Sequence, residues 1–165
     1  MLDKTKKDWW KSAVVYQIYP RSFQDTTGSG VGDLNGIIRR LDYLAELGID
    51  LIWLSPVFAS PQVDNGYDIS DYRDIDPLFG TLEDMRTLIR EGKERGIGIM
   101  MDLVLNHSSD QHPWFLKAKA DKESPYHDYY VWRDGTPDRY PNGMQSVFGG
   151  PAWEWVPELG QYYFH

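Results

Sequence analysis

Three stretches of this sequence gather residues able to do chemistry. In "MMDLVLNHSSDQHPWF", Met100 to Phe115, an apolar run carries Asp102 and ends on Asn106 and His107. Read as a strand, it alternates its side chains, so Asp102, Val104 and Asn106 share one direction. A carboxylate inside such a strand is costly unless paired, and an Arg on a neighbouring strand is the expected partner of Asp102. A purely structural ion pair satisfies the same pattern. His107, at the strand's exit, can donate a hydrogen bond to a ligand hydroxyl, although an isolated histidine there also reads as a cap. In "SPQVDNGYDISDY", Asp64 and Tyr67 flank Asn65-Gly66, a tight-turn signal. A carboxylate that accepts from hydroxyls beside a ring that stacks on C–H groups suits a sugar. Alone, this loop reads equally as a hydrated acidic turn. In "DTTGSGVGD", Asp25, Thr27, Ser29 and Asp33 place oxygens along a short loop, a pattern that hard cations use. Only its two ends are carboxylates, so a Gly-rich connection with a helix cap at Asp33 competes.

The elements that must position these residues alternate. "AVVYQIYP" is a β-branched and aromatic run stopped by Pro20, and reads as a strand. "DLNGIIRRLDYLAELGI" repeats Leu34, Ile37, Ile38, Leu41, Leu44 and Leu47 at helical spacing, with Asp33 as N-cap and Gly48 as stop. "DLIWLSP" is the second strand, apolar on both faces. "TLEDMRTLIREGKERG" opens with Thr81 and Asp84 at capping-box spacing and ends at Gly96. "IGIMMDLVLNH" is the third strand. Apolar strands alternating with helices predict an α/β protein with a parallel sheet. No Gly-rich phosphate turn follows the first strand, and polar residues gather after each strand: Arg21 and Asp25, Asp64 to Asp68, Asn106 and His107. That favours a (β/α)8 barrel, whose site lies at the C-terminal rim, over a doubly wound sheet. From Ser108 to His165 no clean period appears, and this stretch reads as a separate loop-rich segment.

Composition excludes several classes. The 165 residues carry a net charge of −8, without the basic stripe of a nucleic-acid binder or of a protein drawn to an anionic membrane. There is no cysteine, so there is no disulfide framework, thiolate zinc site or Cys nucleophile. No apolar run reaches the ~20 residues of a membrane span, and the start lacks a signal-peptide core; a cytoplasmic protein is expected. The 7 Trp and 11 Tyr can stack on sugars or pack a loop-rich region, and without basic neighbours bases are the poorer partner. P-loop, G-x-S-x-G, H-E-x-x-H and dinucleotide motifs are all missing.

Together, "VVYQIYPRSFQDTTGSGVGDLNGIIRRLDYLAELGIDLIWLSPVFASP", "DNGYDISDY" and "DLVLNHSSDQHPWF" resemble the start of the alpha-amylase superfamily of glycoside hydrolases, in its alpha-glucosidase and oligo-1,6-glucosidase branch. "DLVLNH" matches the superfamily's first signature, "YQIYPRSF" with "GDLNGI" is typical of the branch, and "SVFGGPAWEW" with "QYYFH" matches its inserted second domain. The resemblance implies that residues 1–107 are the N-terminal part of a (β/α)8 barrel, with its first three strands. Residues 108–165 would begin the domain inserted between the third strand and third helix.

The resemblance also implies roles. Asp102 supports an arginine near the nucleophile, Asn106 shapes the loop, and His107 binds the sugar being cleaved. Asp64 and Tyr67 hold the non-reducing glucose, and Phe148 walls the same pocket. The Asp25 loop resembles the branch's calcium or magnesium loop, with Val31 offering its carbonyl beside Asp25, Thr27, Ser29 and Asp33. Thr27 and Ser29 stand where the branch has an amide and a carboxylate, which implies a weak or absent divalent site and no required cofactor. The nucleophilic Asp and acidic Glu of the superfamily follow its fourth and fifth strands and have no counterpart before His165. The expectation is therefore the front of a retaining alpha-glucosidase acting on small oligosaccharides, inactive as an isolated segment. Alternatives are a glucosyl-transferring or isomerising relative (sucrose isomerase, trehalose synthase), or a non-catalytic product, whether truncated or akin to transporter heavy chains.

Overall fold

The computed structural model describes residues 5–165, and its contacts divide the chain into two compact units, Met1–His107 and Ser108–His165. In the first unit, β1 (Val15–Ile18), β2 (Leu51–Leu54) and β5 (Gly98–Met101) form a parallel sheet in the order β1-β2-β5. The register runs Val15↔Leu51↔Gly98 to Ile18↔Leu54↔Met101, so the three strands end level with one another. Parallel neighbours need long crossovers. Helices α2 (Leu34–Arg39) and α3 (Leu41–Glu46) make the first, and α4 (Leu82–Glu94) makes the second.

The helical period does the burying. Leu34, Ile37, Leu41 and Leu44 are each fully buried, with Ile52, Leu54 and Ile18 of the sheet and Leu88 of α4 in one core cluster. Asp33 caps α2 by accepting from the Gly36 N–H at 2.7 Å. Thr81 and Asp84 form the reciprocal capping box of α4. Gly48 and Gly96 end their helices at φ 83° and 75°, a region open to glycine at no steric cost.

Three expectations are corrected. The single helix read from Asp33 to Gly48 is two, broken at Arg40 (φ −102°, ψ 2°), whose N–H donates to both Ile37 O and Ile38 O. The tightened turn keeps Leu41 and Leu44 in the core while the Arg40 guanidinium reaches Gln24 Oε1 at 3.0 Å. The third strand stops at Met101 instead of running to His107. Its partner β2 ends at Leu54 and is soon followed by Pro56, which has no N–H to extend a ladder. Leu103 and Leu105 stand exposed between the half-buried Asp102 and Val104, so the alternation persists to Leu105 and ends at the exposed Asn106. Finally, the loop after β2 contains a small antiparallel pair, β3 (Phe58–Ala59) and β4 (Asp71–Ile75).

The second unit is more regular than its sequence suggests. Helix α5 (Pro113–Ala120) starts with Pro at its first position, and His112 Nδ1 accepts from the Trp114 N–H. Strands β6 (Trp132–Asp134), β7 (Trp153–Val156) and β8 (Gln161–Phe164) form an antiparallel sheet in the order β6-β8-β7. The core is aromatic. The ring of Phe115 lies 6.1 Å from that of Trp132 and 4.9 Å from that of Tyr163. Strands of three or four residues are too short to display a period, so rings and a closing hairpin define this sheet where alternation cannot. Among the described residues, no helix is long and apolar enough to cross a membrane.

Candidate active site

Because the three parallel strands end level, whatever follows them meets at one rim. Trp53 lies in β2, Asp102 directly after β5, and the loop between β2 and β4 carries Asp64 and Tyr67. Asp102 is the hub. Its Oδ1 accepts from Trp53 Nε1 at 2.6 Å, and its Oδ2 accepts from the Tyr67 hydroxyl at 2.9 Å. No cation of the described residues pairs with it, the salt bridges among them all lying elsewhere. Two neutral donors hold the carboxylate instead, one on each oxygen.

Tyr67 is placed by its turn. Asn65 and Gly66 take φ 53° and 96°, the paired left-handed conformation that a tight Asn-Gly turn needs, and Tyr67 N–H closes the turn on Asp64 O at 3.0 Å. A side chain at position 66 would meet Pro56 O at 3.1 Å, so the turn sits directly on the end of β2. Asp68 braces the loop from below, accepting from Ser60 Oγ, the Asp64 N–H and the Val63 N–H. Burial first, then the hydrogen bond to Asp102, then the charges of Asp102 and Asp64 push the Tyr67 phenol up to about 12. Tyr67 thus stays a neutral donor at any physiological pH.

His107 closes the ring of contacts. Its Nε2 lies 3.0 Å from the Tyr67 carbonyl, which can only accept, so Nε2 carries the proton. Tyr72 on β4 donates its hydroxyl to His107 O at 2.7 Å and fixes the backbone there. Asn106 and His107 are both exposed.

Four residues picked out from the sequence, Asp64, Tyr67, Asp102 and His107, therefore belong to one cluster on the first unit. Phe148 lies in the second unit, exposed, between Ser146 and the turn glycines Gly149 and Gly150. Trp53 and Tyr72 escaped the sequence reading. Trp53 sits in a run that is apolar on both faces, and nothing local reveals that its indole N–H needs an acceptor.

The Asp25 loop is organised against a cation. Asp25 Oδ1 accepts from Thr27 N, Thr27 Oγ1 and Gly28 N, and Oδ2 accepts from Gly30 N at 2.7 Å. These N–H groups, Gly30 foremost and Thr27 next, hold the exposed carboxyl down to about 2. Asp33 is taken by Gly36 N and by the N–H and hydroxyl of Thr26. Ser29 Oγ accepts from Val31 N and donates to Val31 O. Each group that the resemblance assigns to a metal is thus engaged by the loop itself. Among the described residues, no three His, Cys, Asp or Glu side chains are grouped to hold an ion. A divalent cation does not fit this donor set.

Parallel strands with a carboxylate, phenol and imidazole clustered at their C-terminal ends have the arrangement of a barrel rim, where the sites of such folds lie. The chain belongs to the alpha-amylase catalytic-domain family, whose match spans residues 17–165. It is 59% identical over 157 residues to an oligo-1,6-glucosidase of Parageobacillus thermoglucosidasius, covering 95% of this chain and 28% of that protein. It is 58% identical to the trehalose-6-phosphate hydrolase of Escherichia coli K12, with the same coverage of each chain. A solved isomaltulose synthase from Klebsiella sp. LX3 matches with a TM-score of 0.93 at 56% identity, over 96% of this chain and 29% of that one. The chain thus spans under a third of the length of these relatives. Its parallel sheet is part of the family's catalytic (β/α)8 barrel.

Proposed function

We propose that the protein carrying this chain is a retaining alpha-glucosidase of the oligo-1,6-glucosidase type, releasing terminal alpha-linked glucose from short oligosaccharides. The observation that supports this best is the Asp102 hub, which ties β2, the Asp64–Tyr67 turn and the end of β5 into one rim. In this reading Asp64 accepts from hydroxyls of the non-reducing glucose, the ring of Tyr67 packs on its C–H face, and His107 bonds another hydroxyl through Nδ1. Asp102, held by two neutral donors, is placed to orient an arginine from a later strand.

Retaining hydrolysis then needs two carboxyl groups about 5–5.5 Å apart, one attacking the anomeric carbon and one protonating the leaving oxygen. The resemblance places these after the fourth and fifth barrel strands. The residues seen here bind and orient the sugar; they do not form or break its bond. Residues 108–165 are the beginning of the inserted domain in this reading, and the protein works in the cytoplasm on a small neutral substrate without a required cofactor.

The relatives include an isomaltulose synthase as similar as the hydrolases, so transfer of the glucosyl group to a sugar hydroxyl is the second reading. The test is to express the whole coding sequence and supply isomaltose, maltose, sucrose and trehalose 6-phosphate. Glucose released first as the alpha anomer, followed by NMR, supports the proposal. A rearranged disaccharide from sucrose favours the isomerase, and no turnover of any of them refutes both.

A further inference from the structure

We infer that the Asp25–Asp33 loop is an anion-centred clamp that takes and keeps its shape without any cation. A cation site turns oxygen atoms inward around a positive centre. This loop does the reverse. The centre is the Asp25 carboxylate, and the N–H groups of Thr27, Gly28 and Gly30 converge on it at 2.8, 2.9 and 2.7 Å. Successive amides around a concavity form a site for negative charge, and here the negative charge belongs to the chain. Gly28 and Gly30 adopt φ 79° and 84° with open space around them, so glycine is needed for the backbone conformation and not for room.

The closed loop holds the rim together. Gly32 N–H donates to Arg21 O at 2.7 Å and Asp33 N–H to Gln24 O at 3.0 Å, against the short helix α1 (Pro20–Phe23) that follows β1. A Cβ would lie 2.1 Å from Pro20 O at position 32 and 1.9 Å from Gln24 O at position 36, so neither glycine can be replaced without moving backbone. Thr26 locks the far end onto Asp33, the cap of α2. The loop therefore fastens the exit of β1 to the first crossover helix through its own charge. Thr27 and Ser29 supply the hydroxyls that close this network where a metal loop would supply charged or amide oxygens.

The test is calorimetry and amide NMR of the protein with calcium, magnesium and a chelator. The expected result is no heat of binding, an unchanged melting temperature with either ion or with chelator, and a downfield Gly30 amide that none of them moves. Asp25→Asn should lower the melting temperature equally with and without calcium and shift the Gly28 and Gly30 amides upfield. Thr27→Asn combined with Ser29→Asp should create a melting temperature that rises with calcium. Binding of calcium by the unaltered protein, or its destabilisation by chelator, overturns the proposal. Asp25→Asn leaving both amides and the melt unchanged removes Asp25 from the centre. Failure of the double variant to respond to calcium overturns the role assigned to Thr27 and Ser29.

Discussion

Replacing Tyr67 by Phe removes one atom from the rim and leaves the ring in place. The lost bond is charge-assisted, 2.9 Å long, to Asp102 Oδ2. Hydrogen bonds to charged groups contribute about 1.5–3 kcal/mol. Asp102 is only partly buried, so its freed oxygen regains some water, and the low end, about 1.5 kcal/mol, is the expected loss. With a urea dependence of about 2 kcal/mol per molar, the unfolding midpoint should drop by roughly 0.7 M. Asp102→Asn supplies the control. Without the carboxylate the hydroxyl has no charged acceptor, so Tyr67→Phe should cost at least about 0.5 kcal/mol less in that background, the scale on which contacting pairs couple. Intrinsic fluorescence of the 7 Trp, Trp53 among them, follows the unfolding. Equal cost of Tyr67→Phe in both backgrounds would show that the hydroxyl acts elsewhere and that Asp102 is not the hub.

Four further outcomes follow from the same geometry. Because the folded-state Tyr67 phenol is raised from 10 to about 12, its neutral form contributes stability that is fully present below pH 10 and is lost as pH climbs towards 12; the tyrosinate absorbance missing from Tyr67→Phe should appear in that window, and ionisation near pH 10 would contradict the burial. Thr81→Ala dismantles the capping box of α4 and should cost about 1 kcal/mol in a thermal melt. Leu34→Ala, at a fully buried position in the main core, should cost about 2–5 kcal/mol, and a near-neutral result would mean that the helix does not pack as described. In the protein expressed from the whole coding sequence, His107→Ala should lower kcat/KM by an amount equivalent to about 1–3 kcal/mol; an unchanged value would take His107 out of the site.

Much of this molecule is set by local pattern. The helical spacing of Leu34, Ile37, Leu41 and Leu44, the cap at Asp33 and the box at Thr81 and Asp84 act over a few residues, so they stand in the sequence as they stand in the fold. The same holds for the Asn65-Gly66 turn, whose left-handed backbone those residue types favour. The identities of Asp64, Tyr67, Asp102 and His107 were likewise legible, because polar residues after apolar strands are conspicuous. What they touch was not. The general cost of a buried charge says only that Asp102 needs partners; the donors seen among the described residues, Trp53 and Tyr67, are 49 and 35 residues away and meet it only once β2 and β5 lie in register. The end of β5 is level with that of β2, two residues before Pro56, and Arg40 at the helix break bonds Gln24 just after α1, both partners distant in sequence. The metal loop shows the division most plainly. Its spacing of oxygens is local and suggests a cation, but the direction of each donor is a property of the folded turn, and there the amides point at Asp25 and leave the loop's oxygens bonded to one another. Sequence determines which groups are available within a turn or two of chain; hydrogen-bond direction and long-range partners are fixed only when distant segments are brought within 3 Å or so of each other.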